Sequence, residues 1–200
     1  MEIYYATEGN DDEAVALRLL AYAGLKAARS PGAVNGKAVL DGKLPTYART
    51  ARTIPWLILR DLDHDAPCPG RLIENLIPDC PPLLVLRIAV RAIESWLLAD
   101  DIGIADYLGV PHVKVPRQPE QLDSPKMEMV NLARYSRLPA VRRDMVPEEG
   151  GGRIAGKAYT QRLVTFAREH WNLERARGRS SSLDRSIHAL ARLQTNVSGD

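Results

Sequence analysis

The tightest constraint in this chain is Trp56-Leu57-Ile58-Leu59, an apolar run without polar alternation that stops in Arg60-Asp61-Leu62-Asp63-His64-Asp65. Strands wetted on one face alternate, whereas strands covered on both faces read as continuous apolar runs, the habit of parallel sheets held between helices. Leu83-Leu-Val-Leu-Arg-Ile-Ala-Val90 makes the same demand, with Arg87 its one charge. Glu2 to Thr7 is a third strand by its β-formers Ile3, Tyr4 and Tyr5, closed by the turn residues Glu8-Gly9-Asn10. A helix follows, capped by Asp11 or Asp12. Its apolar residues Ala14, Val15, Leu17, Leu19, Leu20, Ala23 and Leu25 recur at three- and four-residue steps as far as Ala28. Buried strands alternating with helices predict the α/β class, a parallel sheet flanked by helices.

Elsewhere the pattern is weaker. Ser30 to Gly42 reads as loop, with Lys37-Ala38-Val39-Leu40 open between a short strand and a helical turn. Leu44–Arg52 and Leu72–Ile77 read as short helices, and Val113–Pro125 as a Pro-rich loop. Ser124 caps a helix that has Pro125 at its first position and Met127, Val130 and Leu132 on its apolar face. Gly150-Gly151-Gly152 follows no strand and lacks the GxxxxGK[ST] spacing, so it is a loop and not a phosphate cradle. Gly156 to His170 is a helix with Leu163, Val164, Phe166 and Ala167 inward and Trp171 anchoring its end. Arg175 to Ser182 is polar and loose. A last helix then buries Leu183, Ile187, Leu190 and Leu193, with Ser181 and Asp184 at capping-box spacing. The division this suggests is an α/β core over 1–133 and a helical, Arg-rich C-terminal part over 134–200.

Charge follows the same division. Met1 to Ala133 carries 14 Lys and Arg against 18 Asp and Glu, a balance of −4, while Arg134 to Arg192 carries 13 against 6, a balance of +7. Twelve of those 13 cations are arginine, whose planar fork suits phosphate, so an acidic core beside a basic region suggests a polyanionic partner; an ordinary solvated helical surface is the plain alternative. No stretch approaches the roughly 18 apolar residues of a membrane span, and Met1-Glu-Ile-Tyr-Tyr5 lacks the basic and apolar regions of a signal peptide, which predicts a soluble, cytoplasmic protein. Cys68 and Cys80, with no Cys or His partners at ligand spacing, read as free thiols.

The acids at the strand ends carry the chemistry. In an extended chain Asp61, Asp63 and Asp65 point the same way, each pair roughly 6–7 Å apart. They stand at the carboxyl end of a buried strand, where open α/β sheets place their ligands. Like charges that close raise one another's proton affinity unless a cation sits among them. Oxygen-only ligands select a hard ion, Mg²⁺ or Mn²⁺. The bland reading is an Asp-rich turn. Glu8 ends the first strand, one sheet position from Asp61 if the strands are neighbours, and Glu94 follows the third. Alone, Glu94 is a first-turn acid favoured by the helix dipole; together with Glu8, Asp61 and Asp63 it extends a shared acidic site. Lys126 is a cation at a helix N-terminus, where the dipole disfavours it, so it is a candidate contact for a phosphate or a site carboxylate, or else an exposed lysine. Of the four histidines only His64 lies near the acids.

Glu8-Gly9-Asn10-Asp11-Asp12-Glu13, Arg60-Asp61-Leu62-Asp63, the run from Glu94 to Asp100, and Pro125-Lys126 together resemble a Toprim domain. The likeness covers about 1–130 and is nearest to small bacterial Toprim-like proteins related to OLD-type nucleases and phage-defence proteins. It implies a Toprim-like Rossmannoid sheet and a Mg²⁺-dependent nuclease site for phosphodiesters. In it Asp61 and Asp63 would hold metal, and Glu8 would be a metal ligand or general acid/base. Asp12, one helical turn after Glu8, would match an extra acid of the OLD type. Glu94 would complete a second metal position, the two ions about 3.5–4 Å apart. Lys126 would serve catalysis, and Arg134, Arg142, Arg143, Arg153 and Lys157 are the candidate nucleic-acid contacts. The chain has no evident topoisomerase tyrosine, zinc ribbon or P-loop. An ATPase partner in trans, as in a defence-system subunit, is compatible with that.

Three other readings share a DxD or the fold. A haloacid-dehalogenase-type phosphatase continues its DxD into glycine and threonine, which Asp63-His64-Asp65 does not. A metal-dependent glycosyltransferase has no need of Glu8 or Glu94. The non-enzymatic alternative is a Toprim-like module that binds nucleic acid or a partner through the Arg-rich part, its acids structural.

Overall fold

The computed structural model describes residues 1–150 and 152–198, so Gly151 of the predicted glycine loop lies outside the described residues. Three full strands, β1 (Glu2–Thr7), β4 (Trp56–Asp61) and β5 (Leu84–Ala89), lie side by side and parallel. Two short strands, β2 (Lys26–Ala27) and β3 (Gly32–Ala33), pair in parallel with the beginning and end of β1. The sheet therefore runs β2-β1-β4-β5, with β3 beside the end of β1. The expected α/β class, a parallel sheet flanked by helices, is what the chain adopts.

The apolar runs are buried on both faces, as their lack of alternation required. Ile3, Tyr5, Leu57, Leu59, Val85 and Ala89 face one core. Ala6, Trp56, Ile58, Leu84, Leu86 and Ile88 face a second. The second core is closed by α2 (Lys37–Thr50), through Leu40, Leu44 and Tyr47, and by Leu72 of α3 (Pro69–Leu76). Lys37-Ala38-Val39-Leu40 is thus the first turn of a 14-residue helix, and the predicted helix at Leu44 is its continuation through Pro45. Tertiary burial overrides a sequence poor in helix signals.

The first core is larger. It takes α1 (Asn10–Tyr22), α4 (Ile93–Leu98), α5 (Asp101–Leu108) and α6 (Pro125–Arg134), and also every helix after residue 134. These are α7 (Pro139–Met145), α8 (Tyr159–Thr165) with its π-helical continuation Phe166–His170, α9 (Leu173–Arg177) and α10 (Ser181–Ser198). Leu163, Phe166, Trp171, Ile187 and Leu190 share one buried cluster with Val15 and Leu19 of α1. The Arg-rich part therefore folds onto the sheet.

Several local expectations are corrected. In α6, Met127 is 39% exposed while Met129 is buried, so the inward face is Met129, Val130 and Leu132. Arg175–Ser182 is ordered by Glu120, whose carboxylate accepts from the Ser180 hydroxyl at 2.7 Å and the Ser182 amide at 2.9 Å. The cap of α10 is Ser180, whose hydroxyl accepts from the Leu183 amide at 3.2 Å, and not Ser181. Among the described residues no helix is long and apolar enough to cross a membrane.

Candidate functional site

An open cleft of about 630 Å³ lies at the carboxyl ends of the strands. Its walls include Glu8, Gly9 and Asp12 after β1, Asn35 and Gly36 before α2, Asp61, Asp63 and His64 after β4, Arg91 and Glu94 after β5, and Lys126 of α6. The strand neighbours β1 and β4 bring Glu8 beside Asp61 as expected, for Glu8 Oε1 accepts from the Asp61 amide at 2.9 Å. Asp12 turns back over the start of α1, its Oδ2 accepting from the Gly9 amide at 2.9 Å. Among the described residues its Oδ1 is buried and without a partner, as is Asp61 Oδ1. Asp12 is 5% and Glu94 4% exposed, values uncommon for carboxylates with no ion pair among the described residues.

These four acids perturb one another. Burial raises the proton affinity of Glu8, against the opposing Asp61 amide and Arg60. Burial also raises that of Asp12 and Asp61 well above the usual carboxylate range. The charges of Asp11, Glu8 and Glu94 add to it for Asp12, and those of Asp12, Glu94 and Glu8 for Asp61. Glu94 is raised by burial, with Lys126 opposing. Burying like charges together is costly even with Arg60 3.7 Å from Glu8 and Lys126 opposing at Glu94, and the sequence arranges four around one opening.

The row expected from Asp61, Asp63 and Asp65 does not extend past Asp61. The strand ends there, and Asp63 adopts the left-handed conformation at φ 47°. Lys37, the first residue of α2, donates to Asp63 Oδ2 at 2.7 Å and lies 3.0 Å from Asp65 Oδ2. Arg60, 2% exposed, reaches Asp41 at 3.0 Å and Asp65 at 2.6 Å. Asp63 thus lines the cleft with an internal cation already on it.

Glu94 receives a partner that sequence reasoning missed. The Tyr159 hydroxyl, from α8, donates to Glu94 Oε1 at 3.0 Å. Lys126 Nζ lies 5.2 Å above the Tyr159 ring. The N-terminal cation therefore answers both a ring and a carboxylate. Behind them, Trp96 of α4 donates from its indole to Ser182 of α10 at 2.7 Å, fixing the helix that carries Glu94. No signal links Glu94 to a tyrosine 65 positions away, whereas Arg91, which donates to the Asp63 carbonyl at 2.8 Å and was also missed, could have been found from its place directly after the Leu83–Val90 run.

Arg134, Arg142, Arg143, Arg153 and Lys157 are all exposed, and none lines the cleft. Arg143 pairs with Asp144 at 2.9 Å and Lys157 with Glu148 at 2.8 Å. Arg143, Arg153 and Lys157 border a separate hollow of about 130 Å³.

Neither family models, curated proteins nor solved structures match this chain.

Among the described residues no three His, Cys, Asp or Glu side chains converge into a finished ligand set. Closing on an ion would therefore take side-chain rotation. The donors still fit a hard divalent cation: they are all oxygen, two of their oxygens are buried and unpartnered, and a cation is what relieves their repulsion.

Proposed function

We propose that the cleft binds Mg²⁺ or Mn²⁺ through Glu8, Asp12, Asp61 and Glu94 and hydrolyses a phosphodiester of nucleic acid, as a Toprim-type nuclease. One observation carries the reading: Asp12 and Asp61 each hold a buried oxygen without a partner among the described residues, and burial first, then the neighbouring acids, raises their proton affinities. The bound ion would supply Lewis acidity and an activated water at neutral pH. Glu8 would serve as a metal ligand or, left uncoordinated, as the group that moves a proton, its Oε1 held in place by the Asp61 amide. Lys126 and Arg91 put positive charge on the cleft wall, where a phosphate would need it. Tyr159 orients Glu94.

The non-catalytic module remains the second reading, favoured by the five exposed basic residues that lie outside the cleft. Incubating the protein with plasmid, single-stranded DNA and total RNA in Mg²⁺, Mn²⁺ or EDTA separates the two. Cleavage that needs the metal and falls at least about 10²-fold in Glu8→Gln and Asp61→Asn is the expected result. Nucleic-acid binding without metal-dependent cleavage would favour the module, and metal binding without cleavage would direct the search to a partner such as an ATPase in trans.

A further inference from the structure

The second acid of the DxD pair is held by a cation of the chain itself. Lys37 Nζ stands 2.7 Å from Asp63 Oδ2 and 3.1 and 3.0 Å from the two oxygens of Asp65. Its placement is built. The Val34 amide donates to the Thr7 carbonyl at 3.0 Å and the Gly36 amide to the Glu8 carbonyl at 2.9 Å, tying the start of α2 to the end of β1. Gly36 takes φ 115°, a conformation that side chains rarely adopt, and this sets the entry of the helix. Asp63 is held from the other side, its amide donating to the Arg91 carbonyl at 2.8 Å and its carbonyl accepting from Arg91 Nη1 at 2.8 Å. The inner acids differ in kind: Asp12, 5% exposed, has a buried oxygen without a partner, and so does Asp61, while both side-chain charges of the outer pair are answered by Lys37 and Arg60.

We propose that the cleft takes one divalent cation, among Glu8, Asp12, Asp61 and Glu94, and that the Lys37 ammonium occupies the place a second ion would take beside Asp63. This rests on the metal-binding reading of the cleft. A fixed ammonium at that place supplies positive charge to the outer half of the site without needing a second ion.

Mn²⁺ titration of the full-length protein, followed by calorimetry and by the loss of free-ion electron paramagnetic resonance signal, tests it without any appeal to activity. One ion per chain is expected in the wild type, lost in Asp61→Asn. In Asp63→Asn it should persist within about fivefold of the wild-type affinity, the scale of a partly exposed ion pair. Lys37→Met should bind a second, weaker ion. Two ions of comparable affinity in the wild type, or a folded Lys37→Met that still takes one, overturn the inference and leave the metal-binding reading standing. No Mn²⁺ binding by the wild type overturns both.

Discussion

At the scale of single residues the cleft is defined by carboxylates kept where water cannot fully reach them. A carboxyl group whose proton affinity folding raises stabilises the fold while protonated, and that contribution is lost as pH rises through its folded value. Glu8, Asp12, Asp61 and Glu94 are all of this kind. Glu120 and Asp101 are of the opposite kind, pulled below the usual range against their burial by serine and by histidine and arginine donors. Comparing one variant with the wild type cancels that second group. Asp61→Asn should therefore melt a few degrees above the wild type at pH 8 in EDTA, with the gap closing as the pH falls toward about 4. Thermal denaturation at stepped pH measures this, and an excess of Mg²⁺ should raise the wild type alone. Tyr159→Phe removes a hydroxyl that donates to the buried Glu94, and should cost about 1–3 kcal/mol in urea unfolding. An unchanged urea midpoint would show that Glu94 does not depend on the hydroxyl.

At the scale of elements, site geometry depends on how closely loops and helix ends approach one another. Gly156 sits against the end of α7, its amide donating to the Met145 carbonyl at 2.9 Å. A Cβ there would stand 2.4 Å from the Asp144 carbonyl oxygen and 2.7 Å from the Met145 carbonyl carbon, both backbone atoms that cannot rotate aside. Gly156→Ala should lower stability by about 1–3 kcal/mol and displace the start of α8, which carries Tyr159. Chemical denaturation gives the first effect, and the near-ultraviolet circular dichroism of the aromatic side chains gives the second. The short helix α4 is held in the same way from behind, by Trp96 on Ser182, and Ser182 is in turn bound by Glu120 from the connection before α6. Periodicity finds the apolar faces of α1 and α10 because those faces repeat, although α1 ends at Tyr22 and not near Ala28, with Lys26–Ala27 already in strand β2. It finds only the second half of α2, from Leu44, because Gly42 and Pro45 weaken the local signal while burial of Leu40, Leu44 and Tyr47 decides the outcome.

At the scale of the whole molecule, the Arg-rich part and the acidic part are one packed body. Arg175 pairs with the fully buried Asp100 at 2.6 Å and Arg179 with Asp101 at 2.7 Å, so some of the C-terminal surplus of positive charge answers acids of the first 133 residues. A chain cut after Ala133 would bare Val15, Leu19 and Leu20 of α1 and strip from the buried Asp100 its Arg175 ion pair and the Asn172 amide. It should lack a cooperative unfolding transition by calorimetry, whereas a 1–133 piece that melts cooperatively would show that the core folds without its C-terminal helices. Consecutive apolar residues in Trp56–Leu59 and Leu83–Leu86 leave no face for water, so the parallel sheet was legible in the chain alone, and so were acids at its strand ends, since Glu8, Asp61 and Glu94 each follow such a run. Which of those acids find a partner depended on the fold. Lys37 reaches Asp63 from 26 positions away and Tyr159 reaches Glu94 from 65, and contacts between such distant positions leave no periodic trace in a single chain.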